Sequence, residues 1–176
     1  TGAGQVPAQG QAPGPGTGVN VFRPEPPPVG SLSIWSVLLR NIEITKMPGG
    51  ALRIGSDEIT PAADVISSVI ENCHFSQSLS GAEVFVGIGN TTIRFIGCEI
   101  DASASGLDVP AVVIIEAPNT IFEGCAIKGN SSTQANSAGG IWYRFFEDNI
   151  LPQFGGRQLL VDLCKVTAGV GVRNAL

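Results

Sequence analysis

Residues 70–75 are Ile70-Glu71-Asn72-Cys73-His74-Phe75, and this six-residue frame decides the fold. It places a cysteine between an apolar residue three positions earlier and another two positions later. The frame recurs at residues 95–100 (FIGCEI), 122–127 (FEGCAI) and 161–166 (VDLCKV), and at residues 39–44 (LRNIEI) with Ile42 in the cysteine position. The copies start 31, 25, 27 and 39 residues apart, a period range typical of stacked supersecondary units.

Two short strands joined by a sharp corner explain the frame. Side chains alternate across a strand, so the cysteine and the apolar residue two positions later face the same side. The apolar residue three positions earlier shares that side only if the chain bends between them. The bend falls at Asn41, Asn72, Gly97 and Gly124, and both residue types tolerate positive φ. Leu163 departs from this pattern.

An apolar run after each frame predicts a third strand in every repeat. These runs are residues 50–54, 82–86, 111–115, 140–144 and 169–172. Each repeat then makes one triangular circuit, and equivalent residues of successive circuits stack into an internal ladder. The ladder consists of Ile42, Cys73, Cys98, Cys125 and Cys164. We therefore predict an all-β chain that forms a short solenoid of about five coils.

Over residues 33–173 the pattern resembles the right-handed parallel β-helix of the pectate-lyase-like family. That family contains polysaccharide lyases and hydrolases, and the tailspikes and other appendages of bacterial viruses. The resemblance implies a two-residue corner with a left-handed Asn, which Asn41 and Asn72 match and for which Gly97 and Gly124 are substitutes. The resemblance predicts the architecture but not the activity, because proteins with this fold carry out many functions.

Composition favours a single strand-rich domain. The chain has 176 residues, 43% of them hydrophobic and 14% charged, with 23 glycines. Its net charge is −5 and its ten Lys and Arg residues are scattered, so no nucleic-acid partner is predicted. The apolar stretch at residues 65–75 is interrupted by polar side chains and falls short of the roughly 18 residues of a membrane helix, so no membrane partner is predicted either.

The four cysteines have several interpretations. As inward ladder positions they are small, buried, free thiols, which favours assembly in a reducing cytoplasm. Disulfides remain an alternative, although side chains stacked in register fit the bridge dihedral poorly. Zinc is a weaker alternative, because the chain has no CxxC pair and His74 is its single histidine. We expect no metal and no cofactor.

Residues 1–30 form a separate region with seven prolines and seven glycines. We predict an extended N-terminal arm there, followed by a β-helix domain at residues 31–176. The arm is either a plain linker or a docking segment that orders on a partner subunit. The residues of the docking hypothesis are Val19, Val21, Phe22 and Arg23.

Two longer excursions leave the coil, at residues 55–65 and 145–158. The second is rich in apolar residues, which either form an interface loop with another subunit or cover the core of their own coil. The residues of this loop are Phe145, Phe146, Ile150, Leu151 and Phe154.

An enzyme of this fold needs paired carboxylates, or calcium held by acids beside a basic residue. The acids on or after the third-strand runs are Asp57, Glu83, Glu116, Glu147 and Asp148, with Arg53 and Arg144 nearby. They follow no fixed spacing, and the Asn-Thr-Asp, Asp-Asp and Gly-His-Gly words of polygalacturonase-like members are absent. We assign no catalytic residue.

The function hypothesis is therefore a structural protein of a virus particle, most simply a bacteriophage, assembled in the host cytoplasm. It decorates the capsid or belongs to a fibre or spike, forms a homotrimer, and contacts capsid or tail subunits through its arm. A solenoid needs covered ends, and we expect another subunit or a further domain to supply the cover. The alternatives are a polysaccharide-degrading enzyme or its fragment, and a bacterial polymer-forming or adhesion protein. A surface polysaccharide is a candidate ligand.

Overall fold

A computed structural model of the chain describes residues 16–21, 33–55, 64–79, 82–87, 90–103, 110–115, 117, 119–129, 139–144, 158–167 and 170–175. The regular structure of these residues consists of strands, which form three parallel sheets. No helix of membrane-spanning length and hydropathy occurs within these ranges.

Successive strands enter the three sheets in turn. Sheet 1 contains β1 (Val19–Val21), β4 (Leu52–Ile54), β7 (Val84–Val86), β10 (Val112–Ile115), β13 (Gly139–Arg144) and β16 (Val170–Ala175). Sheet 2 contains β2 (Ser33–Arg40), β5 (Asp64–Glu71), β8 (Asn90–Ile96), β11 (Asn119–Glu123) and β14 (Gln158–Asp162). Sheet 3 contains β3 (Glu43–Thr45), β6 (His74–Ser76), β9 (Glu99–Asp101), β12 (Ala126–Lys128) and β15 (Lys165–Thr167).

Each strand pairs in parallel with the strand three places along the chain. One strand from each sheet therefore makes one rung of a three-sided coil, with neighbouring rungs about 4.8 Å apart. The predicted all-β architecture, with parallel strands in stacked sheets, is confirmed.

The core fills the space between the three sheets with rows of like residues. Alternation along each strand turns one apolar residue inward per rung in sheet 3, and these residues form the row Ile44, Phe75, Ile100 and Ile127. In sheet 2 the rings of Phe95 and Phe122 stack with centroids 4.8 Å apart and planes inclined by 9°. The ring spacing equals the strand spacing, so aromatic stacking and backbone pairing reinforce each other.

One strand of sheet 1 lies within residues 1–30. Val19–Val21, which the sequence interpretation assigns to the arm, form β1 and pair with Leu52–Ile54 at the edge of sheet 1. Val19 and Val21 are half-buried and pack against the core. Close docking requires a glycine at position 18, since a Cβ there would collide with the Ile44 side chain and the Ala51 carbonyl. β1 is thus a strand of sheet 1, although it lies within residues 1–30.

Candidate functional site

The corner between sheets 2 and 3 has the left-handed backbone throughout the coil. The φ angles are 56° at Asn41, 50° at Asn72, 59° at Gly97 and 60° at Gly124. Leu163, which departs from the sequence pattern, has the same conformation with φ at 51°. Pairing with the neighbouring rung imposes the corner there, although leucine is poorly suited to positive φ.

A second left-handed position follows sheet 3 and had no clear signal in the sequence. It is occupied by Lys46 with φ at 59° and by Gln77 with φ at 61°. The backbone N–H of Lys46 donates to the carbonyl of Ser76, so this turn too is held by the next rung.

The thiol ladder lies just after the first corner. Cys73, Cys98 and Cys125 are buried, whereas Cys164 is only half-buried; all four are free. The Cys98 thiol donates to the Ile70 carbonyl at 3.4 Å, and that of Cys125 occupies the equivalent position one rung on. The hydrogen bond with Cys98, together with burial, raises the pKa of the Cys125 thiol, and burial raises the pKa of Cys164. The raised pKa keeps the Cys125 thiol protonated, and its burial shields it from reagents.

One of the candidate acids, Glu83, is buried and held in place. It lies just before β7, and its carboxylate accepts hydrogen bonds from the Ser78 backbone N–H at 2.8 Å and from the Ser78 hydroxyl. Its own carbonyl accepts from the N–H groups of Ala51 and Leu52. Burial raises the pKa of Glu83 against the opposing effect of the Ser78 bonds. Glu83 therefore clamps the turn between sheets 3 and 1.

Of the other residues considered for catalysis, the structure describes Arg53 and Arg144, which lie on β4 and β13 of sheet 1. The Arg53 guanidinium lies over the Phe85 ring, 4.3 Å from its centroid, and Arg144 ends β13. The acids Asp57, Glu116, Glu147 and Asp148 lie outside the described residues. Within the described ranges, no three His, Cys, Asp or Glu side chains cluster as a metal site would require.

An apolar row runs across the outward face of sheet 2, and sequence analysis missed it. In register it consists of Leu38, Val69, Arg94, Ile121 and Leu160. Leu38 is 61% exposed and Leu160 is 39% exposed. The next outward row on one side is polar and contains Ser36, Ser67, Thr92 and Asn119. This row can be recognised in the sequence from the alternation of side chains along each strand, once the register between the strands is known.

Ion pairs connect neighbouring rungs beside the apolar row. Arg40 Nε lies 2.7 Å from Glu71 Oε2, and Arg94 Nη2 contacts both carboxylate oxygens of Glu123 at 2.9 and 3.0 Å. The Arg94 charge is therefore directed sideways to Glu123, which leaves its hydrocarbon stem in the apolar row. These pairs are substantially exposed, so each contributes about 1 kcal/mol or less to stability.

The end rungs expose positions that inner rungs bury. Phe122, Cys125 and Ile127 are fully or almost fully buried. Their counterparts one rung later are Val161, Cys164 and Val166, and all three are only half-buried. At the other end, Leu39 and Ile42 are also half-buried. Each end of the solenoid thus presents an apolar interior that its own described residues cover only in part.

Of the residues in the docking hypothesis, Val19 and Val21 lie in β1 against their own coil. Phe22 and Arg23 lie outside the described residues. The predicted loop residues Phe145, Phe146, Ile150, Leu151 and Phe154 also lie outside them.

No protein-family model, no curated protein and no solved structure matches this chain.

Proposed function

We propose that this chain is a structural component of a virus particle, of the bacteriophage type, built as a right-handed β-helix and assembled with its own copies. The observation that carries the proposal is the apolar row on the outward face of sheet 2. Leu38, Val69, Ile121 and Leu160 form a stripe along sheet 2 that is crossed at its middle rung by Arg94, with polar residues on one flank and ion pairs on the other. An apolar centre with a polar rim is the usual anatomy of a protein interface.

Three copies with sheet 2 facing a common axis would bury this stripe once per subunit. The resemblance to the pectate-lyase-like β-helix supports a trimeric appendage, and free thiols fit assembly in a reducing host cytoplasm. The proline- and glycine-rich residues that precede β1 would connect the trimer to capsid or tail subunits.

The interface is tested by a charge placed in the stripe. Val69→Lys should convert a trimer into monomers, because three ammonium groups would meet in an apolar contact. Ser67→Lys is the matched control: it lies on the same strand and outward face, two residues away in the polar row. Light scattering with size-exclusion chromatography measures the mass. A wild-type monomer at micromolar concentration, or equal effects of both variants, would reject the stripe as the interface.

The docking role is tested by co-expression with the structural proteins encoded by the neighbouring genes. Deletion of residues 1–15 leaves β1 in place, so the solenoid should fold and its copies should still associate. Purified particles should then lack this protein. Normal incorporation of the truncated chain would show that residues 1–15 play no part in attachment.

A further inference from the structure

The two ends of the solenoid carry opposite charges at corresponding positions. On sheet 2, the outward row that begins at Arg40 in the first rung ends at Asp162 in the last. On sheet 3, the outward row that begins at Glu43 ends at Lys165. Each row therefore has a base at one end and an acid at the other, and the order is reversed between the two sheets.

The apolar positions at the ends correspond in the same way. Val161 and Leu39 are the last and first members of one inward row of sheet 2, and both are half-buried. Leu160 and Leu38 end the outward apolar row, and both are exposed. The β2–β3 end thus presents the charges and the apolar side chains that a further rung beyond β14 and β15 would need.

We propose that the β14–β15 end of one copy receives the β2–β3 end of a second copy, with the register of sheets 2 and 3 continuing across the contact. Asp162 then lies beside Arg40 of the second copy, and Lys165 lies beside Glu43 of the second copy. Opposite charges on adjacent strands stabilise pairing, and like charges oppose it. The contact also covers the half-buried Cys164. Such a head-to-tail contact does not close on itself and builds an axial stack.

In sheet 1, β1 occupies a position that the stack requires for another strand. β1 pairs with β4, so it lies one rung outside the rung of β2 and β3. In the stack, that level of sheet 1 is already filled by β16 of the receiving copy, which follows β15 and pairs with β13. The two strands cannot occupy one place. β1 has three residues and β16 has six, so β1 is the strand that leaves. β1 is thus a strap that blocks end-to-end association until it is displaced.

The strap is tested with two variants that remove it by different means. Deletion of residues 1–21 removes β1 outright. Gly18→Val keeps the whole chain and forces β1 away, because the added side chain collides with Ile44 and the Ala51 carbonyl. Both variants should form linear multiples of the wild-type mass in sedimentation velocity, whereas wild type should not. Circular dichroism and continued protection of Cys98 establish folding. Failure of both folded variants to associate further would overturn the proposal.

The register is tested by charge reversal in the chain that lacks residues 1–21. Lys165→Glu should weaken stacking about tenfold by facing Glu43 of the next copy with a like charge. Adding Glu43→Lys should restore it. Glu99→Lys is the matched control for Glu43→Lys, since it makes the same Glu-to-Lys change on the same outward row in an inner rung, and it should not restore stacking to the Lys165→Glu chain. Stacking that ignores Lys165→Glu, or that the double variant does not restore, would refute the register.

Protection of one thiol gives an independent readout. Cys164 should react with iodoacetamide in unstacked copies and become protected on stacking, while Cys98 stays protected in both. Unchanged labelling of Cys164 in the associated species would place the contact elsewhere. These outcomes are separable from the trimer interface, because Val69→Lys changes the mass of the unit that stacks and Lys165→Glu changes only the number of units.

Discussion

Substitutions at the corner measure how much its left-handed backbone lowers the free energy of unfolding. Gly124 has φ at 60°, and a Cβ built there meets no atom within 4 Å. Gly124→Ala therefore adds conformational strain and no collision. A non-glycine residue in this region costs roughly 1–2 kcal/mol, and alanine recovers roughly 0.4–1 kcal/mol by restricting the unfolded chain. The expected net loss in the free energy of unfolding is about 1 kcal/mol.

Leu163 gives the opposite experiment one rung away. Its φ is 51° and it is 88% exposed, so replacement by glycine relieves strain and loses almost no buried apolar area. Leu163→Gly should stabilise the fold by about 1 kcal/mol. Gly97→Ala should cost more than Gly124→Ala, because its Cβ would come within 2.8 Å of the Asn72 amide oxygen, which must move.

Urea denaturation of the three variants and wild type, at one protein concentration, provides the comparison. For a chain of this size, 1 kcal/mol corresponds to about 2–4 °C in melting temperature. The order of stability should be Leu163→Gly, wild type, Gly124→Ala, Gly97→Ala. A Gly124→Ala variant as stable as wild type, or a destabilised Leu163→Gly, would refute the strain explanation of the corner.

Three further predictions concern the interior. Alkylation followed by mass spectrometry should label Cys164 first and Cys98 only on unfolding, because Cys164 alone of the four thiols is half-exposed; equal rates would contradict the ladder. Glu83 has a pKa above its ordinary value of 4.5 in the folded protein, so its stabilising contribution is complete below 4.5 and is lost as pH rises through the raised pKa. Denaturation curves from pH 4 to 7 should therefore show wild type losing stability relative to Glu83→Gln, and a constant difference would exclude this linkage. Phe122→Ala removes a fully buried ring and its stack on Phe95, and should cost about 3–5 kcal/mol in urea titrations; a loss below 1 kcal/mol would contradict close packing there.

The solenoid was predictable because one six-residue frame recurs in every coil and shows which residues of successive coils lie side by side. The alternation around Cys73, Cys98 and Cys125 fixes which side chains face inward, and the residue before each cysteine marks the corner. Leu163 shows the limit of this inference, because pairing between rungs imposes positive φ on a residue that does not favour it. The conformational preference of a residue predicts a corner only where that residue favours positive φ.

The candidate site was less predictable. β1 lies in a segment whose proline and glycine content indicates an extended chain, and only its pairing with β4 reveals a strand. The outward rows of sheet 2 depend on the register between strands about 30 residues apart, which varies with the loops between them. The hydrogen bonds between Ser78 and Glu83 depend on a turn geometry that neither residue type predicts.

The spacing of the ion pairs has a consequence for how the chain folds. Arg40 and Glu71 are 31 residues apart, Arg94 and Glu123 are 29 apart, and Asp101 and Lys128 are 27 apart. Contacts in this coil thus join each segment to the one made a single circuit earlier, and folding can proceed rung by rung as the chain leaves the ribosome. At every stage the newest rung is an open strand edge. An open edge is a template for pairing with another chain, so we expect slow synthesis of a rung to favour association between nascent chains.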